Sequence, residues 1–99
     1  GNFVCFIIKQ YKASKSREEV KTELVSILQK YDISYLIDYL KGAGYVCVVQ
    51  CKNIKKFSLT QMVNEILQDK KLIAGLGLWV GNLKAISQSY RCAERILFF

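Results

Sequence analysis

The chain contains no histidine and no proline among its 99 residues. Without histidine, a serine or cysteine nucleophile lacks its commonest general base, and a zinc site lacks a usual ligand. Without proline, one source of helix breaks and of slow isomerisation is missing, although this identifies no function. The longest apolar runs, such as residues 3–8, are far shorter than the roughly 20 residues that a membrane-spanning helix requires. We therefore expect no metal site and no membrane contact.

The composition is that of one packed domain with a basic surface. Half of the residues are apolar and are spread along the chain, which argues against disorder. The net charge of +7 is compatible with nucleic acid or an anionic surface. The basic residues form two loose groups, one of Lys9, Lys12, Lys15 and Arg17 and one of Lys52, Lys55 and Lys56. Both groups fall in loops or helix starts, so a solvated surface explains them at least as well.

The four cysteines lie within apolar runs and not in a loop-rich scaffold. They are Cys5, Cys47, Cys51 and Cys92. The pattern favours buried free thiols in a reducing compartment, which predicts a cytoplasmic protein. Cys47 and Cys51 would lie on one face of a strand, too far apart to share a zinc ion.

The first half of the chain reads as strand, helix, strand, strand. An apolar run predicts a central strand from Phe3 to Lys9. The sequence SREE at 16–19 is a capping box that opens a helix. Two strands, Ile33 to Leu40 and Tyr45 to Cys51, flank KGAG, whose glycines favour a tight antiparallel hairpin.

The second half reads as helix, strand, helix. A second capping box, SLTQ at 58–61, opens a helix with one apolar face. A strand made irregular by glycines fits Ile73 to Val80. Asn82 then caps a last helix whose spaced residues run from Leu83 to Leu97. The order βαββαβα predicts an α+β fold, a ferredoxin-like βαββαβ antiparallel sheet with the first and third strands central and a further C-terminal helix.

Two phrases are similar to those of RNA-recognition domains. KGAGYVCV, at 41–48, matches the third-strand motif of that family, but Ala43 stands where the family places a stacking ring. LWVGNL, at 78–83, resembles the first-strand motif yet falls on the fourth predicted strand. A single-stranded RNA binder using Lys41, Tyr45 and the first strand therefore remains an alternative.

The closing sequence GLGLWVGNLKAISQSYRCAERILFF, at 75–99, resembles the end of GGDEF-like domains. That family has a glycine-containing strand, a short break and then a helix with spaced apolar residues around a Ser-Tyr pair. The matching residues are Leu83, Ile86, Ser89, Tyr90, Ala93 and Leu97. The resemblance is greatest to the degenerate GGDEF-like domains of bacterial AraC-type response regulators of the YesN kind and of related transcription regulators.

The resemblance also gives a test of catalysis. An active diguanylate cyclase carries Gly-Gly-Asp-Glu-Phe at the hairpin, where this chain has Lys41, Gly42, Ala43, Gly44 and Tyr45. Both acids are missing, and no acid precedes Glu18. Because such cyclases need carboxylates to hold metal ions, we expect no catalytic, metal-binding or cofactor-binding residue and no enzyme activity.

The resemblance implies that residues 1–99 are a single GGDEF-like regulatory domain excised from a longer two-component or transcription regulator. Its partners would be a receiver or sensor domain and a helix-turn-helix domain of the same chain, with promoter DNA bound only by the latter, and a second copy in a homodimer. The residues expected to contact a neighbouring domain are Tyr90, Ile96, Leu97, Phe98 and Phe99, the last four forming an apolar helix tip. A ferredoxin-like domain that senses a small molecule is a further alternative.

Overall fold

An antiparallel sheet with helices on both faces is seen in the computed structural model, which describes residues 2–11, 15–69, 71–95 and 97–98. The elements in chain order are β1 Asn2–Gln10, α1 Arg17–Leu28, β2 Ser34–Leu40, β3 Gly44–Cys51, α2 Leu59–Ile66, β4 Leu72–Leu76, a 3₁₀ turn Leu83–Ala85, α3 Ile86–Arg95 and β5 Leu97–Phe98. The strands lie in the order β2-β3-β1-β4-β5. The domain is therefore α+β, with β1 and β3 inside the four longer strands.

Both predicted capping serines begin a helix as expected. The Ser16 hydroxyl accepts a hydrogen bond from the Glu19 amide at 3.2 Å, and the Ser58 hydroxyl accepts one from the Gln61 amide at 3.1 Å. These bonds satisfy amides that the first helical turn leaves without a partner. No helix in the described ranges combines the length and the apolar character needed to cross a bilayer.

The main core lies between one face of the sheet and the helices α1 and α2. Val4, Phe6 and Ile8, at alternate positions of β1, are fully buried there. The stripes of α1 and α2 that cover them include Leu24 and Met62, which are also buried. The alternation of β1 places the intervening side chains on the opposite face.

The helix α3 covers part of that opposite face. It packs against β1 and β4, and it buries Cys5 and Ile7 of β1 together with its own Ser89 and Ala93. Small side chains at the helix surface allow the close approach. The β1 strand is therefore buried on both faces, which explains its nearly continuous apolar sequence.

The last third of the chain departs from the prediction in two places. The strand expected from Ile73 to Val80 ends at Leu76, and Val80 returns as a single bridge to Phe3. The last helix ends at Arg95, so the prediction that it continues to Leu97 is wrong. Leu97–Phe98 instead form β5 and pair with the otherwise free edge of β4. A short strand there satisfies backbone groups that a longer helix would leave unpaired.

Candidate functional site

The turn between β2 and β3 carries Lys41 to Tyr45, the residues that the sequence resemblance aligns with the GGDEF motif. Gly42 and Gly44 have φ angles of 87° and 103°, a region that favours glycine. The Ala43 amide donates to the Leu40 carbonyl oxygen at 2.9 Å, which closes the turn. A Cβ on Gly44 would lie 2.6 Å from the Ile8 carbonyl oxygen, so a larger residue would push the hairpin away from β1. The predicted glycine hairpin is confirmed.

The last residue of this motif, Tyr45, is buried against the start of α1. Its hydroxyl donates to the Arg17 carbonyl oxygen at 3.0 Å, and its ring meets that of Tyr39 edge-on at a centroid distance of 5.1 Å. The Arg17 guanidinium lies 4.3 Å above the Tyr39 ring. Burial, with the nearby Tyr39, raises the pKa of Tyr45 above its ordinary value. These contacts fasten the hairpin to α1.

The position of Tyr45 argues against the RNA-binding alternative. Only 2% of the residue is exposed, because its ring points to the face covered by α1 and α2. On the opposite face, Cys5 and Ile7 of β1 lie beneath α3. Base stacking requires exposed rings, so Tyr45 and the first strand provide no stacking platform in this arrangement.

A shallow depression beside the hairpin lies where the resemblance places the cyclase motif. Its volume is about 310 Å³, and its lining residues are Lys9, Gln10, Tyr39, Gly42, Ala43, Gly44 and Tyr45. None of these residues carries a carboxylate. Across the described ranges, no group of three or more histidine, cysteine, aspartate or glutamate side chains is placed to hold a metal ion. The chemistry available at the depression is that of one cation, an amide and aromatic surface.

The residues of the closing motif hold α3 against the sheet. The Cys5 amide donates to the hydroxyl oxygen of the fully buried Ser89 at 2.8 Å, across 84 positions of the chain. The neighbouring Gly77 amide donates to the Cys5 carbonyl oxygen at 2.9 Å. A Cβ on Gly77 would lie 2.3 Å from the Ser89 carbonyl oxygen and 2.5 Å from that of Cys5. Gly77 is therefore required for the close approach of α3 to β1.

Asn82 caps the segment that leads into α3. Its side-chain oxygen accepts a hydrogen bond from the Ala85 amide at 3.1 Å, which begins the 3₁₀ turn that leads into α3. The predicted cap is confirmed. Sequence reasoning singled out Ser89 by resemblance alone, and it missed the bond to Cys5 because that contact depends on the folded sheet.

The five residues predicted to contact a neighbouring domain do not form one helical tip. Tyr90 is half-buried on α3, where burial, followed by the Glu94 carboxylate, raises its pKa. Leu97 and Phe98 belong to β5. Ile96 and Phe99 lie outside the described residues. The predicted contact set thus divides between a helix face and a short edge strand.

The basic residues divide between paired and solvent-facing positions. Lys15 forms ion pairs with Glu23 and Asp69, and the hydrogen bond to Glu23 raises its pKa. Lys12 lies outside the described residues. Lys52 and Lys56 border a cleft of about 330 Å³ between the β3–α2 loop and the segment that joins α1 to β2. Of these described residues, Lys15 is therefore paired with acids, whereas Lys52 and Lys56 border a cleft.

The prediction of buried thiols is confirmed for three of the four cysteines and not for Cys92. Cys5, Cys47 and Cys51 are enclosed, whereas Cys92 is only partly covered, and all four are free thiols. Burial, with a smaller contribution from Glu94, raises the pKa of Cys5 to about 11. Burial raises the pKa of Cys47 even further. These two thiols are poor nucleophiles at neutral pH.

One apolar surface was not predicted from the sequence. On the sheet face that carries α3, the strands β2 and β3 present Leu36, Asp38, Leu40, Val46 and Val48, and these line a depression of about 390 Å³. We call this surface the open face. The available signal was the sequence SYLIDYL of β2, which is apolar at both odd and even positions and so predicts apolar side chains on both faces.

Comparison with known proteins returned no relative: no family model, no curated protein and no solved structure matches the chain. A functional proposal therefore depends on the residues and contacts described above and on the resemblance of the closing sequence.

Proposed function

We propose that this chain is a non-catalytic signal-transmission domain of a bacterial two-component response regulator or other transcription regulator. The domain has a ferredoxin-like, degenerate GGDEF-like fold and links an input domain to an AraC-type DNA-binding domain. It acts in the cytoplasm through conformational change and domain contact. Promoter DNA is bound by the neighbouring domain, and a second copy of the chain is a candidate partner.

The observation that carries this proposal is the set of contacts that seats α3 on the central strand β1. Gly77, Asn82 and Ser89 all lie in the closing sequence that resembles the GGDEF-like family, and each has a definite role in seating α3. An ordinary amphipathic helix would account for the apolar spacing but not for these three polar and glycine contacts. Because Ser89 of α3 is hydrogen-bonded to β1, a displacement of α3 would also move the central strand of the sheet.

The hairpin supports a non-catalytic role. Lys41 to Tyr45 form a turn that a hydrogen bond of Tyr45 joins to α1, and the depression of about 310 Å³ beside it is lined by no carboxylate. Metal-dependent nucleotidyl transfer needs acids that hold the cations bridging the substrate phosphates. The hairpin forms without those acids, which supports a structural role for it and not a catalytic one.

A direct assay tests the absence of cyclase chemistry. The purified chain is incubated with GTP and Mg²⁺, and the products are separated by chromatography beside an active diguanylate cyclase. We expect GTP to remain unchanged by this chain while the control converts it. Formation of a cyclic dinucleotide that rises with protein concentration would contradict the proposal.

The coding DNA on both sides of this chain tests the regulatory role. We expect a receiver or sensor domain upstream and a helix-turn-helix pair downstream, joined in one reading frame. In that longer chain, Gly77→Ala should weaken the response of DNA binding to the input, whereas Gly81→Ala should leave it intact, because a Cβ on Gly81 meets nothing within 4 Å. A reading frame that lacks a DNA-binding domain would refute the proposal.

A further inference from the structure

The open face is the part of the sheet that none of the described helices covers. The register places Leu36 opposite Val48 and Asp38 opposite Val46, so these side chains share one face. Val48 and Val46 in turn lie opposite Cys5 and Ile7, which α3 buries. The cover that α3 provides on β1 and β4 therefore stops at β3. One apolar row therefore continues from Cys5 beneath α3 through Val48 to Leu36 on the uncovered half.

The uncovered half is unusually apolar for a solvent-facing surface. Leu36 is 75% exposed and Leu40 is 43% exposed, and both lie on the edge strand. Val46 and Val48 beside them are half-buried. When one face of a sheet meets only water, its strands are expected to alternate apolar and polar residues, with the polar side chains on the water-facing side. Neighbouring exposed apolar side chains of this kind make the open face a candidate binding surface.

The shape of the open face fits one helix. It is two strands wide, which is roughly 10 Å at the usual strand spacing, and an α-helix with its side chains has about the same diameter. The helix α3 already occupies the neighbouring two strands of the same face. A second helix laid beside α3 would complete a layer over the sheet and cover Leu36, Val46 and Val48.

The negative charge of Asp38 on the open face indicates what kind of helix could bind there. Asp38 lies among the apolar side chains, and no lysine or arginine in the described ranges pairs with it, although the whole chain carries a net charge of +7. Among the residues that the structure describes, the one hydrogen bond to its carboxylate comes from the Tyr39 amide, at 2.8 Å. At the hairpin end of this face, Lys9 and Glu94 line a separate small depression together with Ile7. Because Asp38 is exposed to water, a ligand that covers this face would have to replace that water with a cation or another hydrogen-bond donor.

A second copy of the chain fits this surface poorly. A two-fold axis through the middle of the open face would bring the same residues of both copies together. The two Asp38 carboxylates would then approach each other in a partly dry interface, where like charges repel. A cation on the incoming surface avoids this cost.

We propose that the open face binds an amphipathic helix of a partner protein, whose apolar stripe covers Leu36, Val46 and Val48 and whose lysine or arginine within that stripe pairs with Asp38. This inference goes beyond the proposed function, because it depends on the open face alone and holds whatever domains flank the chain.

Two synthetic helical peptides test the docking site on the purified chain. Each has 16 residues with leucines at i, i+3, i+4 and i+7; one carries a single lysine in the stripe, and the other carries glutamate there. Fluorescence anisotropy should show that the lysine peptide binds the unmodified chain roughly fivefold more tightly, the ratio expected of an ion pair of about 1 kcal/mol. Asp38→Lys should reverse the preference.

A matched pair of substitutions locates the binding surface. Leu36→Ser should weaken the lysine peptide about tenfold or more, because a leucine side chain leaves the interface. Ile54→Ser, at a residue that is 42% exposed in the β3–α2 loop, should leave binding unchanged. Circular dichroism checks that both variants remain folded, as expected for exposed positions.

Three results would overturn the proposal. The first is that neither peptide binds the unmodified chain. The second is that Asp38→Lys leaves the preference unchanged or that Ile54→Ser weakens binding as much as Leu36→Ser does. The third is that sedimentation shows a dimer which Leu36→Ser dissociates, because the open face would then belong to a second copy.

Discussion

The buried hydroxyl of Ser89 accepts a hydrogen bond from the backbone amide of Cys5 at 2.8 Å. This amide lies between the last regular pair of β1 and β4, Phe6 with Leu76, and the isolated bridge of Phe3 to Val80. The backbone between them provides no carbonyl oxygen for Cys5, and a side chain of α3 supplies the missing acceptor. The sheet and the last helix therefore share one hydrogen-bond network.

Replacing Ser89 with alanine should destabilise the domain. The Cys5 amide would be left buried without an acceptor, at a cost of about 1–3 kcal/mol in the free energy of unfolding. Ser87→Ala, an exposed change on the same helix, is the control and should alter stability by less than about 0.5 kcal/mol. Urea denaturation measures both. Equal effects for the two variants would show that the Ser89 bond contributes nothing.

Replacing Gly77 with alanine should separate α3 from β1. The new methyl group would lie 2.3 Å from one backbone oxygen and 2.5 Å from another, so the backbone must move. We expect a loss of about 1–3 kcal/mol, the usual cost of overpacking. Gly81→Ala is the matched control, because a Cβ there meets nothing within 4 Å. Thermal unfolding compares the variants, and a Gly77→Ala protein as stable as Gly81→Ala would argue against close packing of α3.

The Cys5 thiol should make stability depend on alkaline pH. Burial raises its pKa from 9.0 to about 11 in the folded state, so the unfolded chain releases this proton at lower pH. The contribution of the thiol is complete below pH 9 and is lost as pH rises toward 11, by about 2–3 kcal/mol. In Cys5→Ala, the free energy of unfolding should fall less over this range than in the unmodified chain. Identical pH profiles would mean that Cys5 ionises equally in both states.

The four thiols should differ in their reactivity toward an aromatic disulfide reagent. Cys92 is partly exposed and should react first in the native protein, while the three buried thiols should react at the rate of unfolding. Cys92→Ser should abolish the fast phase, and Cys51→Ser should leave it unchanged. A fast phase that survives Cys92→Ser would place an accessible thiol elsewhere.

The parts of the fold that depend on local signals could be predicted from the sequence. Ser16 and Ser58 cap helices, and Gly42 and Gly44 form the hairpin, because each works through neighbours only a few residues away. The end of β4 could not be predicted. It depends on Gly77 meeting α3, and that contact exists only after the chain has folded.

The candidate sites could likewise be predicted only where they depend on residue types or near neighbours in the sequence. The absence of acids at Lys41 to Tyr45 was visible in the sequence, since it depends on residue types alone. The burial of Tyr45 and the exposure of Leu36 depend on which face of the sheet each side chain takes, and a strand that is apolar at both odd and even positions does not reveal this. The two-residue β5 forms only because β4 offers it an edge.

The proposed signal-transmission role is tested most directly by hydrogen exchange in two proteins, this chain alone and the same chain continued into the downstream segment of its own coding sequence. We expect the longer protein to show slower exchange at amides of β4, α3 and β5, since a neighbouring domain that receives the signal must dock there and suppress local opening. Slower exchange that is lost in the longer Gly77→Ala protein but kept in Gly81→Ala would tie the contact to the seating of α3. Identical exchange in the two unmodified proteins would contradict the proposed role.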